Sequence, residues 1–223
     1  VEYSFHFIDV WRAREELAFG AWLTIQLSAV SMMLSLLIAI FGALGRTSGP
    51  RWLRLVIAAY VEFVRNTPFL VQVFVIFFGL PAFGIRLEAN TGALVAMVLN
   101  GSAYTIEIVR AGIQAVNHGQ VEAAGALGLH RLQIFRAIVL PQALRAVFAP
   151  LGSQFILLML NSSIVSVIGA EELTAVAQDL QSRTFRSFEV YITAIGLYFV
   201  LSLGFTAVFG LLNRVFFPKL EGR

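Results

Sequence analysis

The chain has 223 residues, 58% of them hydrophobic and only 13% charged, with a formal net charge of +3 and no cysteine. Ordinary soluble domains carry about 25% charged residues, and a soluble helix needs a polar face, so this composition excludes a water-soluble helical domain. The absence of cysteine excludes disulfides and thiolate metal ligands.

Charge is segregated along the chain. Residues 17–45, 66–85, 89–106, 146–170 and 190–213 contain no Asp, Glu, Lys or Arg. A bilayer core of about 30 Å is crossed by roughly 20 helical residues. The sequence therefore reads as an all-α integral membrane protein, one transmembrane domain over residues 1–223. About five spans are expected, near 17–45, 55–80, 89–113, 142–168 and 190–216, with a polar loop at 114–141. Barrel strands would need period-two alternation, which is missing.

Span one follows a segment (Glu2, Asp9, Arg12, Arg14, Glu15, Glu16) that lacks the basic n-region of a signal peptide. Arg46, Arg51 and Arg54 follow it. Span two holds Glu62 and Arg65, then Thr67-Pro68 and Gln72. Proline in a span interior removes a donor and kinks the helix. Span three carries Asn100, Ser102, Glu107 and Arg110, and span four carries Gln154, Asn161, Ser162 and Ser163. Glu62–Arg65 and Glu107–Arg110 are spaced three apart on one helix face, where opposite charges partly neutralise each other. A central intramembrane charge costs about 2.5–3.5 kcal/mol. These pairs read either as structural ion pairs or as gate elements between two such chains.

The neutral polar residues Thr67, Gln72, Asn100, Ser102, Gln154, Asn161 and Ser163 read singly as helix-packing groups. As a cluster they read as a substrate pathway, since amides both donate and accept, which suits a zwitterion. Between spans four and five, Thr174–Leu180 is expected to form a short helix at the outer interface, either a solvated connector or a docking surface.

Basic residues accumulate on the cytoplasmic face of membrane proteins. Arg46, Arg51, Arg54, Arg110, Arg131, Arg136, Arg145, Arg214, Lys219 and Arg223 fall on one side; Arg12, Arg14, Arg86, Arg183 and Arg186 fall on the other with most of the acids. The amino end is thus expected outside, and the carboxyl end and the loop 114–141 inside.

Several chemistries are excluded. The single lysine is Lys219, and no G-x-x-x-x-G-K-[ST] occurs, so this chain has no P-loop for ATP. Asp9 and Asp179 lie outside the spans, as do His6, His118 and His130, so neither an intramembrane protease site nor a metal site is indicated. No catalytic residue, metal ligand or nucleic-acid motif is assigned.

The loop is the informative stretch: Gln120–Pro141 reads QVEAAGALGLHRLQIFRAIVLP. Gly119 is expected to end the extension of span three, and Gln120–Leu127 favours helix. Gly128 suits a left-handed helix stop. A second helix starts near His130, with Leu129, Leu132, Phe135, Ile138 and Val139 on one face. Pro141 either ends the pattern or opens span four. Ala123 and Ala124 leave room for another backbone to approach.

Glu122-Ala123-Ala124, three residues, Gly128, nine residues, then Ile138-Val139-Leu140-Pro141 resembles the EAA loop of bacterial ABC importer permeases, E-A-A-x3-G-x9-I-x-L-P, at every defined position. Val61–Gln72, Asn100–Ile113 and Asn161–Gly169 resemble signatures of the polar amino acid uptake subfamily, and the resemblance covers about residues 20–216. It implies an ABC importer type I permease-like fold in the cell inner membrane and no enzymatic activity in this chain. The loop becomes a coupling helix docked on a separate ATPase subunit through Glu122, Ala123, Ala124 and Gly128, with Ile138, Leu140 and Pro141 fixing it to span four. The implied partners are two ATP-binding subunits that hold ATP and magnesium, a second identical or sister permease chain, an extracytoplasmic solute-binding protein, and membrane lipid. No cofactor is implied in this chain.

In relatives that carry basic amino acids, carboxylates are expected at the span-four pocket positions; here Gln154 and Asn161 match them. The resemblance therefore implies neutral or acidic substrates over basic ones. Leu160-Asn161-Ser162-Ser163-Ile164 departs from the usual K-[DE]-[ST]-[SA]-L form. The rival reading is an ATP-independent amino acid transporter or channel, which leaves the complete loop motif unexplained; a pure membrane scaffold leaves the polar cluster unexplained.

Overall fold

The computed structural model describes residues 4–217, so Glu2, Lys219 and Arg223 from the charge pattern lie outside the described residues. In chain order the helices are α1 (Ile8–Arg12), α2 (Arg14–Ser48), α3 (Arg51–Arg65), α4 (Phe69–Phe74), α5 (Ala89–Gln114), α6 (His118–Ala126), α7 (Arg131–Ile134), α8 (Leu140–Asn161), α9 (Leu173–Thr184) and α10 (Ser187–Phe216). Two π-helical turns, Val75–Gly79 and Phe135–Val139, and two 3-10 turns, Leu80–Phe83 and Ser162–Ile168, extend α4, α7 and α8. Arg14–Ser48, Ala89–Gln114, Arg131–Ile168 and Ser187–Phe216 are long and apolar enough to cross a membrane; the bent pair Arg51–Arg65 and Phe69–Phe83 makes a fifth if it is one crossing.

That pair is where the expected span 55–80 changes. Instead of a kinked helix, the chain breaks at Asn66–Pro68 and turns by 109°. Pro68 is extended (φ −63°, ψ 135°) and has no N–H to continue the ladder, and a proline biases the residue before it away from the α region. Side chains cap the resulting ends: Thr67 Oγ1 donates to the Phe63 carbonyl (2.9 Å), Asn66 Nδ2 to the Glu62 carbonyl (2.7 Å), and Gln72 Nε2 to the Val64 carbonyl (2.8 Å).

The bundle is organised by α2 packed along α5. The buried face of α2 is a run of small residues, Thr24, Ser28, Ser31, Ser35, Ala39 and Ala43. Water is scarce at this depth and lipid is as apolar as the helices, so close backbone approach replaces hydrophobic drive. Ser35 Oγ donates across to the Val98 carbonyl (3.1 Å). On α5, a Cβ added at Gly101 would fall 2.6 Å from Ser35 Oγ, and at Gly112 only 2.1 Å from Val147 Cγ1 of α8. These glycines set the closeness of the three helices. Met32, Val73, Met97, Phe155 and Leu158 fill the centre.

The short helix expected at Thr174–Leu180 is α9, longer than predicted. It is not a loose connector: Leu173, Ala177 and Leu180 join Val10, Leu17 and Val190 in a second core cluster. Glu172 caps it, its carboxylate accepting the N–H groups of Thr174 and Ala175 (both 2.8 Å) and the Tyr198 hydroxyl (2.6 Å). Burial pushes this carboxyl above its ordinary pKa, while the donated hydrogen bonds pull the other way.

Candidate functional site

Two features stand out as candidate sites: an elbow formed by α6 and α7, and a cleft between α3, α5 and α8. The elbow is α6, Gly128 and α7. Asn117 starts α6 with its side chain accepting the Gly119 N–H (2.8 Å), so Gly119 lies in the first turn of α6 and does not terminate α5, as the sequence suggested. A polar cap residue outweighs the helix-breaking tendency of the glycine that follows it. Gly128 closes α6 with φ +82°, and the Leu129 N–H returns to the Ala124 carbonyl (3.2 Å). That is a left-handed helix stop, cheap only for glycine. His130 caps α7, its N–H bonded to Gln133 Oε1 (2.8 Å).

Pro141 sits in the first turn of α8. It has no N–H to give to the Ala137 carbonyl, and the helix widens into the π turn Phe135–Val139 at this point. Ile138 and Leu140 therefore sit at the junction of elbow and α8. Gln142 ties the two together, its Nε2 donating to Gln120 Oε1 (2.7 Å) and to the Ile138 carbonyl (3.0 Å). Sequence reasoning did not single out this amide clasp.

Glu122, Ala123 and Gly128 are exposed, and only Ala124 turns inward. Leu127 and Leu132, on either side of Gly128, are 81% and 75% exposed. Leucines so exposed at a polar turn leave an apolar face that nothing else among the described residues covers.

The cleft, about 510 Å³, lies between the end of α3, α5 and α8 and is lined by Arg65, Tyr104, Glu107, Gly112, Pro150 and Gln154 among others. Glu107 is held between Arg46 of α2 (2.6 Å) and Arg110 on its own helix, and Arg110 also reaches Gln114. The expected Glu107–Arg110 pair thus forms, with Arg46 as an unforeseen third member. The other expected pair does not form: Glu62 accepts from Asn66 (3.1 Å), and the Arg65 guanidinium lies 5.5 Å over the Tyr104 ring. Both residues lie within α3, so helical spacing alone would permit the pair; instead the Arg65 side chain turns to the Tyr104 ring of α5, which offers a cation–π surface. Arg65 makes no ion pair among the described residues. Three arginines against one carboxylate leave this region electropositive. Gln154 is 9% exposed and its amide has no hydrogen-bond partner among the described residues. One turn away, Pro150 has no N–H to give to the carbonyl of Ala146, which also lines the cleft.

The polar residues read as one pathway separate into four places. Thr67, Gln72 and Asn100 form a knot at the break: Gln72 Nε2 donates to Thr67 Oγ1 (2.8 Å) and Asn100 Nδ2 to Gln72 Oε1 (2.9 Å). Thr67 and Gln72 also line a smaller, largely apolar cavity of about 270 Å³. Ser102 bonds to Tyr60, whose hydroxyl also donates to the Leu99 carbonyl (2.6 Å). Gln154 alone of the set faces the large cleft. Asn161 and Ser163 lie two turns further along, about 10 Å at 1.5 Å per residue, and Ser163 Oγ is turned onto the Leu160 carbonyl (2.8 Å). Tyr104, Tyr60 and Arg46 escaped sequence reasoning because aromatic and topogenic residues are common in such chains.

Residues 21–220 match the family model described as the binding-protein-dependent transport system inner membrane component. The chain belongs to this family. Members of similar sequence include the glutamine transport system permease protein GlnP of Escherichia coli (strain K12), 34% identical over 95% of this chain and 97% of its own length. The octopine transport system permease protein OccM of Rhizobium radiobacter is 35% identical, over 94% of this chain and 89% of its own. The crystal structure of an amino acid ABC transporter with histidines superposes with a TM-score of 0.90 at 38% identity, covering 95% of this chain and 99% of that one. The inward-facing MetNI methionine ABC transporter shares the fold, with a TM-score of 0.78 at 20% identity over 92% and 98%. The family's fold, an all-helical bundle with four to five candidate spans, is the one described above.

Proposed function

We propose that this family member carries polar amino acids across the cell inner membrane, driven by a separate ATP-binding subunit docked on the elbow. The observation that carries the reading is the free face of the elbow, with Leu127, Gly128 and Leu132 turned outward within a complete EAA motif. ATP and magnesium belong to that partner, and two copies serve two permease chains, identical or sister. The elbow faces the cytoplasm, as the arginine distribution indicates, and a solute-binding protein delivers substrate on the α9 side.

The cleft fits a small zwitterion. Arg65 offers a cation to a carboxylate, Gln154 an uncommitted amide, and the excess of arginine disfavours a second positive charge. A guanidinium or ammonium side chain would enter without a counter-ion, because Glu107 is already occupied by Arg46 and Arg110. Neutral and acidic amino acids are therefore preferred over basic ones. Reconstitution with the ATPase subunit and solute-binding protein tests the reading: uptake of labelled glutamine or glutamate is expected only with ATP. Uptake that persists without the ATPase would identify an ATP-independent transporter or channel and overturn it.

A further inference from the structure

The segment before α2 has two apolar faces, and only one is used inside the protein. Val10 and Ala13 enter the core cluster with Leu173, Ala177 and Val190. The segment is held there by the His6 N–H, which donates to the fully buried Glu189 (2.9 Å), and by Arg186, whose guanidinium reaches the Ser4 carbonyl (3.5 Å). The opposite face presents Phe5 (58% exposed), Phe7 (48%), Ile8 (58%) and Trp11 (69%). It continues onto α10 through Phe188, whose ring lies 5.4 Å from that of Phe5. Phe5 and Phe7 stack at 6.5 Å.

What covers this shelf follows from what it joins. Phe188 stands in the first turn of α10, a helix with none of its most apolar window buried. Its outward residues Ile192, Ile195 and Phe199 must meet acyl chains if α10 crosses the bilayer. The shelf begins where that acyl-facing surface ends. Charged groups adjoin it: Arg12, Arg14 (its guanidinium 5.4 Å over the Trp11 ring), Arg183 and Arg186, the last three also paired with Glu15, with Glu16 and Asp179, and with Glu189. Aromatic rings and arginines mixed at a span end are the composition of the headgroup–acyl boundary, where amphipathic rings are stable and guanidinium groups meet phosphate. In water the same cluster would be an exposed apolar patch.

We propose that residues 4–14, with Phe188, form an anchor seated in the headgroup–acyl boundary of the bilayer, its occupant phospholipid. Through Glu189 and the shared core cluster it fixes α9 and the adjoining ends of α2 and α10 at a set depth. The proposal requires that α2 and α10 span the membrane; it does not depend on which substrate is carried or on an ATPase partner.

The test uses the full chain in phosphatidylcholine vesicles with Trp22→Phe and Trp52→Phe, leaving Trp11 as the sole tryptophan. Lipid brominated near its ester end is expected to quench Trp11 emission more than lipid brominated near its methyl end. Soluble iodide is expected to quench weakly, and solute-binding protein to leave the signal unchanged. Iodide quenching without bromolipid quenching would place the shelf in water and overturn the proposal. Protection from iodide that appears only with solute-binding protein would also overturn it, by making the shelf a protein-docking surface. Since those substitutions can disturb folding, a nitroxide on Ile8→Cys, the only cysteine in the chain, gives an independent reading with all tryptophans retained. Greater accessibility to oxygen than to a water-soluble nickel chelate is expected; the reverse order rejects the anchor.

Discussion

Asn100 of α5 donates its side-chain amide to Gln72 of α4 at 2.9 Å, and Gln72 in turn donates to Thr67 and to the Val64 carbonyl at the end of α3. One glutamine thus joins both arms of the broken span to the central helix. Gln72→Leu should destabilise the fold more than Thr67→Val, because it takes a donor from the part-buried Val64 and Thr67 carbonyls and Thr67 Oγ1 and an acceptor from the buried Asn100 amide. Each buried unsatisfied group costs about 1–3 kcal/mol. Thermal unfolding in detergent checks the order, and a double-mutant cycle with Asn100→Leu should show coupling. Additive effects would remove the knot from the account of the break.

At the elbow, Gly128 holds φ +82° with nothing within 4 Å of an added Cβ. A Gly128→Val chain meets no steric neighbour but strains the backbone by about 1–3 kcal/mol, enough to redirect α7. Membrane insertion should be preserved while ATP-driven uptake is lost. Normal uptake by this variant removes Gly128 from the coupling role.

The cleft gives a specificity prediction. Gln154→Glu places a carboxylate where the amide has no partner. Affinity for arginine or lysine should rise about ten-fold, near the low end of the ~1.5–3 kcal/mol that a charge-assisted hydrogen bond contributes, and affinity for glutamate should fall. Calorimetry on the purified permease–ATPase complex bypasses the solute-binding protein. No change in this preference would mean that substrate does not contact Gln154.

Ser28 and Ser31 bury their hydroxyls in the α2–α5 seam with no hydrogen-bond partner among the described residues. Replacing either with alanine should stabilise the chain by about 1 kcal/mol, since the desolvation cost of the unpaired hydroxyl disappears. A lowered melting temperature for both variants would contradict this description of the seam.

Glu172 predicts a pH dependence. Its folded carboxyl is raised above the ordinary value of 4.5 by burial, so between the two values the folded state binds more protons than the unfolded. Stability from this group therefore decreases as pH rises through that window and is fully present below 4.5. Protection of the α9 amides, taken relative to the intrinsic exchange rate at each pH, should rise on mild acidification, and Glu172→Gln should flatten the response. An unchanged pH profile in the variant would assign the dependence to another group.

Four long stretches of helix and the elbow were legible from the linear order of residues, because lipid imposes a length on apolar runs and because capping glycines and prolines act on their own neighbours. The EAA spacing belongs to the same local class. Gly119 lies inside a helix rather than ending one because Asn117, two residues earlier, caps that helix, which is again a local signal. The 109° turn at Pro68 was half visible: proline announces a disturbance, but its size depends on what packs around the freed ends, here Gln72 and Asn100. The partners of Glu107 and Arg65 were out of reach, since Arg46 and Tyr104 are distant in sequence and only helix packing brings them close. Local chemistry thus determined which segments are helices, where they stop and which family motif they carry. Tertiary packing decided that the seven polar residues occupy four separate places and that Gln154 alone of them opens into the cleft beside Arg65 and Glu107, because side-chain direction across helices follows from how their small residues let them meet.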